Sequence, residues 1–318
     1  MEIVQTAFFQ VDLRGMSGAK RKSAPTLFRM PLRRSTVRGR EFGDAMRALL
    51  RAADLTNRAA AELLGWQEAK VSELVNGKEG VSDVDLAKLL GLLRTPPAEC
   101  DHLMALHHDA HIRDWLQPTG SGAPNRTLRE HEKIASDITG WSMNVVHGLL
   151  QVPDYTWHLG LAKPLDEPEA RVLVENRVVR QTAVLDGSRA VKIFMHEQAL
   201  RLPVGDAGVM GEQLHHLLRL SVRPYLTIRL IPTAFGPHAG LAGDFDRLKF
   251  KKIPEIVYVE SEGANVFLED QASVDRYETV LKSLDRTALD EVETRKLITS
   301  IIGEEARGDQ VAEEQLQR

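Results

Sequence analysis

The chain has 318 residues, 43% hydrophobic and 27% charged, with 41 Lys plus Arg against 45 Asp plus Glu and a formal net charge of -4. That is the mix of an ordinary globular protein of about two domains, and no apolar run approaches the roughly 18 residues of a membrane span. The single cysteine, Cys100, excludes an internal disulfide and any zinc site built on several cysteines; a cytoplasmic protein without a membrane partner is expected.

Residues 1–37 mix Ser, Pro, Lys and Arg without a sustained period, carrying seven bases against two acids, and read as a basic, flexible arm. Met16 and Met30 inside it are alternative starts. Residues 38–116 read as short helices with a connector helix toward Trp115. Phe42, Met46, Leu49, Leu50 and Ala53 form one apolar face. Thr56 caps a second helix that Gly65 stops, Gln67–Asn76 forms a third before Gly77, and Ser82 caps a fourth. Two such helices joined by a Gly-containing turn make a helix-turn-helix. The turn-rich stretch 117–127 reads as a linker. In 128–305, helices over Glu169–Leu185 and Gly208–Ser221 alternate with strands at Ala190–His196, Thr227–Pro232, Asp244–Phe250, Glu255–Glu260 and Asn265–Glu269. Two helices, about 270–286 and 288–303, follow, and 306–318 is an acidic tail. The expected fold class is α+β, an all-α helix-turn-helix domain followed by a larger domain with a mostly antiparallel sheet.

The segment from Leu55 to Leu90 resembles the xenobiotic-response-element class of helix-turn-helix regulators: Leu55-Thr56, Ala60/Ala61, Gly65, Val71, Ser72, Asn76 and Gly77 stand at the matching places. Gly148–Thr156, Asn176–Gln181, Ala199–Gly205, Arg229–Phe245 and Val257–Glu260 resemble the C-terminal domain of actinobacterial antitoxin-like regulators, so the resemblance spans about residues 38–305. It implies double-stranded operator DNA as partner, with Glu68, Ala69 and Glu73 toward bases and Asn57, Asn76 and Lys78 toward phosphates. It also implies a small partner protein.

With Val71, Leu74 and Val75 turned to the core, Gln67, Glu68, Ala69, Lys70, Ser72 and Glu73 are left for the groove side. Glutamate accepts from a cytosine amino group and alanine packs on a thymine methyl. Residues 38–94 hold nine bases and nine acids, and DNA affinity rests mainly on phosphate neutralisation. The charge is therefore expected from Arg33, Arg34, Arg38 and Arg40.

No nucleophile elbow, phosphate-binding loop or zinc-protease motif is present, so no catalytic residue and no cofactor are expected. His107 and His111 have the i, i+4 spacing of a metal pair, but adjacent His108 points elsewhere and no acid or cysteine completes the face; a solvated connector helix is preferred and no metal is expected. Around Gly236, Gly240 and Gly243, a ligand-lining loop with His238, Arg229 and Tyr258 competes with a plain β-connection. Arg177, Arg180 and Gln181 either bind an anion or pair with Glu197 or Glu260. The function read from this is a sequence-specific DNA-binding transcriptional regulator, a homodimer whose C-terminal domain senses a small-molecule effector or partner protein. The alternatives are a C-terminal small-molecule binder or enzyme keeping the helix-turn-helix as scaffold, and an antitoxin-like interaction module.

Overall fold

The computed structural model describes residues 35–316 except 79–80, 111, 119–125, 164 and 262. The expected basic arm, with Arg33 and Arg34, lies outside the described residues, as do His111 and the side chains of the acidic tail.

Five helices come first: α1 (Val37–Ala52), α2 (Asn57–Leu64), α3 (Glu68–Val75), α4 (Asp83–Leu92) and α5 (Pro97–His108). Their ends follow local chemistry. Thr36, Thr56 and Ser82 each accept a backbone N–H three residues on, at 2.9, 3.1 and 3.2 Å, and Gly65 and Gly77 stop α2 and α3 at φ +66 and +63. The apolar faces meet through Phe42, Met46 and Leu50 of α1, Ala60 and Ala61 of α2, and Val71, Leu74 and Val75 of α3. Gly43 lets the backbones of α1 and α3 approach: a Cβ there would lie 2.5 Å from the Val75 carbonyl oxygen.

The second domain is built on β1 (Trp115–Pro118), α6 (Arg126–Ile134), β2 (Asp137–Ser142), α7 (Pro153–Leu161), α8 (Glu167–Val184), β3 (Ala190–His196), α9 (Gln198–Arg201) and α10 (Ala207–Leu220). It continues with β4 (Leu226–Ile231), β5 (Phe245–Lys249), β6 (Ile256–Glu260), β7 (Ala264–Leu268), α11 (Gln271–Thr287) and α12 (Glu291–Leu316). One seven-stranded sheet runs β1-β7-β6-β5-β2-β3-β4. Only the β2–β3 and β3–β4 pairs are parallel; the rest are antiparallel, as an α+β domain with a mostly antiparallel sheet requires. Alternation sends Trp141, Phe194, Phe245 and Val257 to the face covered by Val274, Leu281 and Leu284 of α11. Ile138, Ile193, Leu248 and Ile256 line the opposite face with Leu149, Tyr155, Val184 and Leu214.

Two expectations need correction. The connector helix ends at His108, and Trp115, where it was expected to arrive, begins β1 and stacks on Phe267 at 5.9 Å. The supposed linker 117–127 is largely structured at both ends: Gln117 and Pro118 pair with Asn265 and Ala264 of β7, and Arg126 and Thr127 open α6. Buried residues of the helical domain and the sheet domain consequently form one contiguous apolar cluster.

Candidate functional site

The outward side of α3 is uncovered. Gln67, Glu68, Ala69, Glu73, Asn76 and Lys78 are exposed, and Asn57 and Ser72 are half-buried, while Val71, Leu74 and Val75 are buried beneath. Asn76 is partly committed: its side-chain amide donates to the Ser72 carbonyl at 2.7 Å, closing the end of the helix. Lys70 is not a free cation. Its Nζ lies 2.6 Å from Asp85 Oδ2 and 4.3 Å from the Trp66 ring centroid, and the hydrogen bond from Lys70 holds the Asp85 carboxyl below its usual range. The exposed α3 face thus presents two carboxylates and one neutralised ammonium.

The arginines expected to offset this charge do something else. Arg38 Nη1 pairs with Asp109 at 2.7 Å, and its guanidinium lies 5.4 Å from the Trp115 ring centroid. Arg40 is only 8% exposed; its Nε donates to His131 Nε2 at 2.8 Å and its Nη1 to the Ser35 carbonyl at 2.6 Å. Glu269 accepts the Val37 backbone N–H at 2.9 and 3.0 Å, capping the first turn of α1 from β7's end. Thr127 donates to Glu41 at 2.8 Å. Arg40 is therefore an inter-domain bolt, and Arg38 ties α1 to the end of α5 beneath the Trp115 ring, because helix α1 buries the side that carries them. His131 donates from Nδ1 to the Thr127 carbonyl at 2.7 Å and accepts from Arg40, so it is the neutral tautomer. Burial, helped by Arg40, pushes its pKa down to about 3, and burial likewise lowers Arg40 to about 10.

The next residue of α6 continues inward. Glu132, fully buried, receives Arg180 Nε at 2.9 and 2.8 Å and Nη2 at 2.7 Å. Arg180 Nη2 also lies 3.5 Å from Asp246 Oδ2, and His147 Nε2 donates to Asp246 Oδ1 at 2.8 Å. Burial opposes ionisation of Asp246, but His147 and the arginines outweigh it and hold the carboxyl below its ordinary range; burial of Arg180 is likewise outweighed by Glu132, which raises the guanidinium pKa. Gly140 makes room for this pair, since a Cβ there would be 2.6 Å from Asp246 Oδ1. His147 Nδ1 accepts the Leu149 N–H at 3.3 Å, so both ring nitrogens are occupied and the His–Asp pair has no free base for acid–base work.

This network floors a cavity of about 580 Å³. The cavity opens at the carboxyl end of β2, where the parallel and antiparallel parts of the sheet meet, between the starts and ends of β5 and β6 and the helices α7 and α8. The loop 146–152 that walls it is stapled by glutamines: Gln181 donates to Gly148 and Gln151 carbonyls at 2.9 and 2.8 Å, and Gln213 accepts from Val152 N–H at 2.8 Å.

A family model described as "Domain of unknown function (DUF5753)" matches residues 125–300. The chain belongs to that family. The DUF5753 domain thus comprises α6 through the first part of α12, with β1 added to its sheet from the preceding segment. Residues 41–103 match a model described as "Helix-turn-helix domain", and the N-terminal unit is a helix-turn-helix DNA-binding domain. No curated protein matches the chain. Among solved structures, one of TrmBL2, an archaeal chromatin protein with a novel mode of DNA binding, is similar at 13% identity and a TM-score of 0.28, covering 78% of this chain and 93% of that one.

Of the four ligand contacts expected in the DUF5753 domain, Arg180 and Tyr258 line the cavity. Arg229 does not: its guanidinium donates to the Ala288 and Leu289 carbonyls at 2.5 and 2.7 Å and to Asp285 at 2.8 Å, fastening the α11–α12 corner. His238 stacks on His196 at 5.3 Å and meets Trp141 edge-on at 5.1 Å, on a loop whose Gly240 carbonyl accepts the Trp141 indole N–H at 2.9 Å. The glycine loop is a β-connection packed on Trp141. Sequence reasoning missed Glu132, His147 and Asp246, which no motif marks, and His107 is engaged with the Val81 carbonyl at 2.9 Å. Among the described residues no helix is long and apolar enough to cross a membrane.

Proposed function

We propose that this chain is a sequence-specific transcriptional regulator of the xenobiotic-response-element class, binding operator DNA as a homodimer through α3 and governed by an effector-sensing DUF5753 domain. The observation that carries the reading is the uncovered α3 face, Gln67, Glu68, Ala69 and Glu73, standing on a buried Val71, Leu74 and Val75 ridge in a helix-turn-helix domain. Such a helix enters the major groove with its first residues toward base edges. One short helix reads few bases, hence the dimer.

The sensing role is supported by how the helical domain is held. Arg40 docks on His131, Glu269 caps α1, and Thr127 reaches Glu41. His131 and Thr127 sit on the same short helix as Glu132, which anchors the cavity floor. A change at the cavity that shifts α6 alters the seat of α1, and through it the placement of α3. That is a coupling free energy between two sites.

The test is selection of the full chain against a random duplex pool, followed by a salt titration on the selected duplex. The reading expects one shared motif and an affinity that falls steeply with salt; weak binding without a shared motif by the folded chain overturns it. A second reading, an antitoxin-like regulator held by a small partner protein, is favoured by one observation: Leu161, Val172, Val178 and Val179 of α7 and α8 are left exposed.

A further inference from the structure

The cavity in the DUF5753 domain has an uneven charge account. Arg180 is matched by Glu132 and Asp246, and Asp246 by His147. Arg177, one turn before Arg180 on α8, has no carboxylate in direct contact among the described residues, although Glu260 and Glu132 act on it at longer range. It makes no ion pair among the described residues, and its Nε is buried without a hydrogen-bond partner. Its guanidinium lies over Gly148, whose missing side chain is what gives it room. Burial, and Arg180 beside it, push its pKa down to about 10 against the opposing pull of Glu260 and Glu132. A guanidinium held half out of water with one N–H unpartnered is costly, and α8 is a surface helix that had every chance to point this side chain outward.

The rest of the lining says what would fill the space. Lys163, exposed at the rim, adds a second cation. Across the cavity stand Asp244 and Glu260. Burial pushes the Asp244 carboxyl up, although it accepts the Met143 N–H at 2.9 Å. Leu159, Ala162 and Leu173 give the α7–α8 side of the cavity an apolar lining. The arrangement is a dipolar slot: cations on the helix side, carboxylates on the strand side.

We propose that this cavity binds a small organic anion, its carboxylate or phosphate held by Arg177 and its hydrogen-bond-donating groups facing Asp244 and Glu260. The assignment deepens the effector-sensing reading and rests on it only for consequence. Glu132, which holds Arg180 one turn along α8 from Arg177, is the neighbour of His131, the seat of Arg40. Binding at Arg177 would therefore be felt at α1.

The experiment uses the full chain, titrated at constant ionic strength with inorganic phosphate and, separately, with glutamate, reading melting temperature and Trp141-sensitive fluorescence. Wild type gives a saturable rise of a few degrees with one of the probes, the phosphate and glutamate arms telling which head group is taken. Arg177→Met weakens that binding at least about tenfold, the loss of a charge-assisted hydrogen bond. A second measurement needs no ligand: the unliganded Arg177→Met protein melts higher than wild type, because a half-buried guanidinium with an unpartnered Nε has been replaced by an apolar chain of similar length. A lower melting temperature for that variant, no saturable response to either probe, or an equal response in the variant overturns the site. If the anion binds but leaves the affinity for the selected duplex unchanged, the site stands and the sensing reading falls.

Discussion

Replacing Arg180 by Met should destabilise the protein by about 3–5 kcal/mol, because it strands Glu132 as a buried charge. The magnitude follows from the geometry. Glu132 is fully buried and receives all its side-chain hydrogen bonds from Arg180, three contacts between 2.7 and 2.9 Å, whereas Asp246 keeps His147 at 2.8 Å. Against a total of about 5–15 kcal/mol for a domain, that loss moves a urea midpoint far enough to measure and brings the single variant near its folding limit. The decisive protein is the double variant Arg180→Met, Glu132→Met. Removing both charges restores apolar packing without an orphan, so it should recover most of the loss and unfold later than either single variant. Urea denaturation followed by circular dichroism, with the three variants at one pH, gives the cycle. Losses that simply add, leaving the double variant the least stable, would refute the argument that desolvated charge governs this floor.

Acid should loosen the junction between the domains. The folded pKa of His131 is about 3 against an ordinary 6.5, so the unfolded chain takes the proton first; the stabilisation is fully present above 6.5 and is lost as pH falls toward 3, by up to about 1.4 kcal/mol per unit. In His131→Gln that slope between pH 6.5 and 5 should flatten by about 1 kcal/mol per unit; an unchanged slope contradicts the assignment. Gly43→Ala should cost about 1–3 kcal/mol, since its Cβ meets the Val75 carbonyl at 2.5 Å, whereas Gly91→Ala, with nothing within 4 Å, should stabilise α4 by up to about 1 kcal/mol; thermal melts of the pair read both. Asp85→Asn should release Lys70 while sparing the Ser82 cap, which binds the Asp85 backbone N–H. DNA affinity then rises and its log–log salt slope steepens by about 0.9 if Lys70 reaches a phosphate, a result that anisotropy titrations give directly.

The helical domain was legible because its signals are local. Thr56, Ser82, Gly65 and Gly77 state where helices begin and end through their own side-chain chemistry or torsions, and strands β3 to β7 carry apolar alternation dense enough to read. The central strand β2 hides itself. Asp137 and Thr139 dilute its period, and Gly140 occupies a core position because His147 and Asp246 need the volume a side chain would take. Strand β1 sits at the edge of a turn-rich stretch and exists only through its pairing with β7. Depth was the other missing quantity. Arg38 and Arg40 belong to a basic run, and a run of charge reads as a phosphate contact until α1 is seen to bury one side against His131, Glu269 and Asp109. Arg177 and Arg180 differ by one turn and look alike in the chain. Only the placement of Glu132, 48 residues before Arg180, decides which one is paired.

The most direct test of α3 as the proposed reading element is the sequence preference of Glu68→Ala. Selection from the same random duplex pool is run on wild type and variant, with melting temperature as the check on folding. Glu68 is exposed at the first turn of α3 and supports no core contact, so the fold should be unaffected. The expected motif is altered at one base step, where a cytosine amino group loses its acceptor, with affinity for unrelated duplex rising slightly as a negative charge leaves the groove. An identical motif in both proteins, or a uniform loss on every duplex, would contradict it.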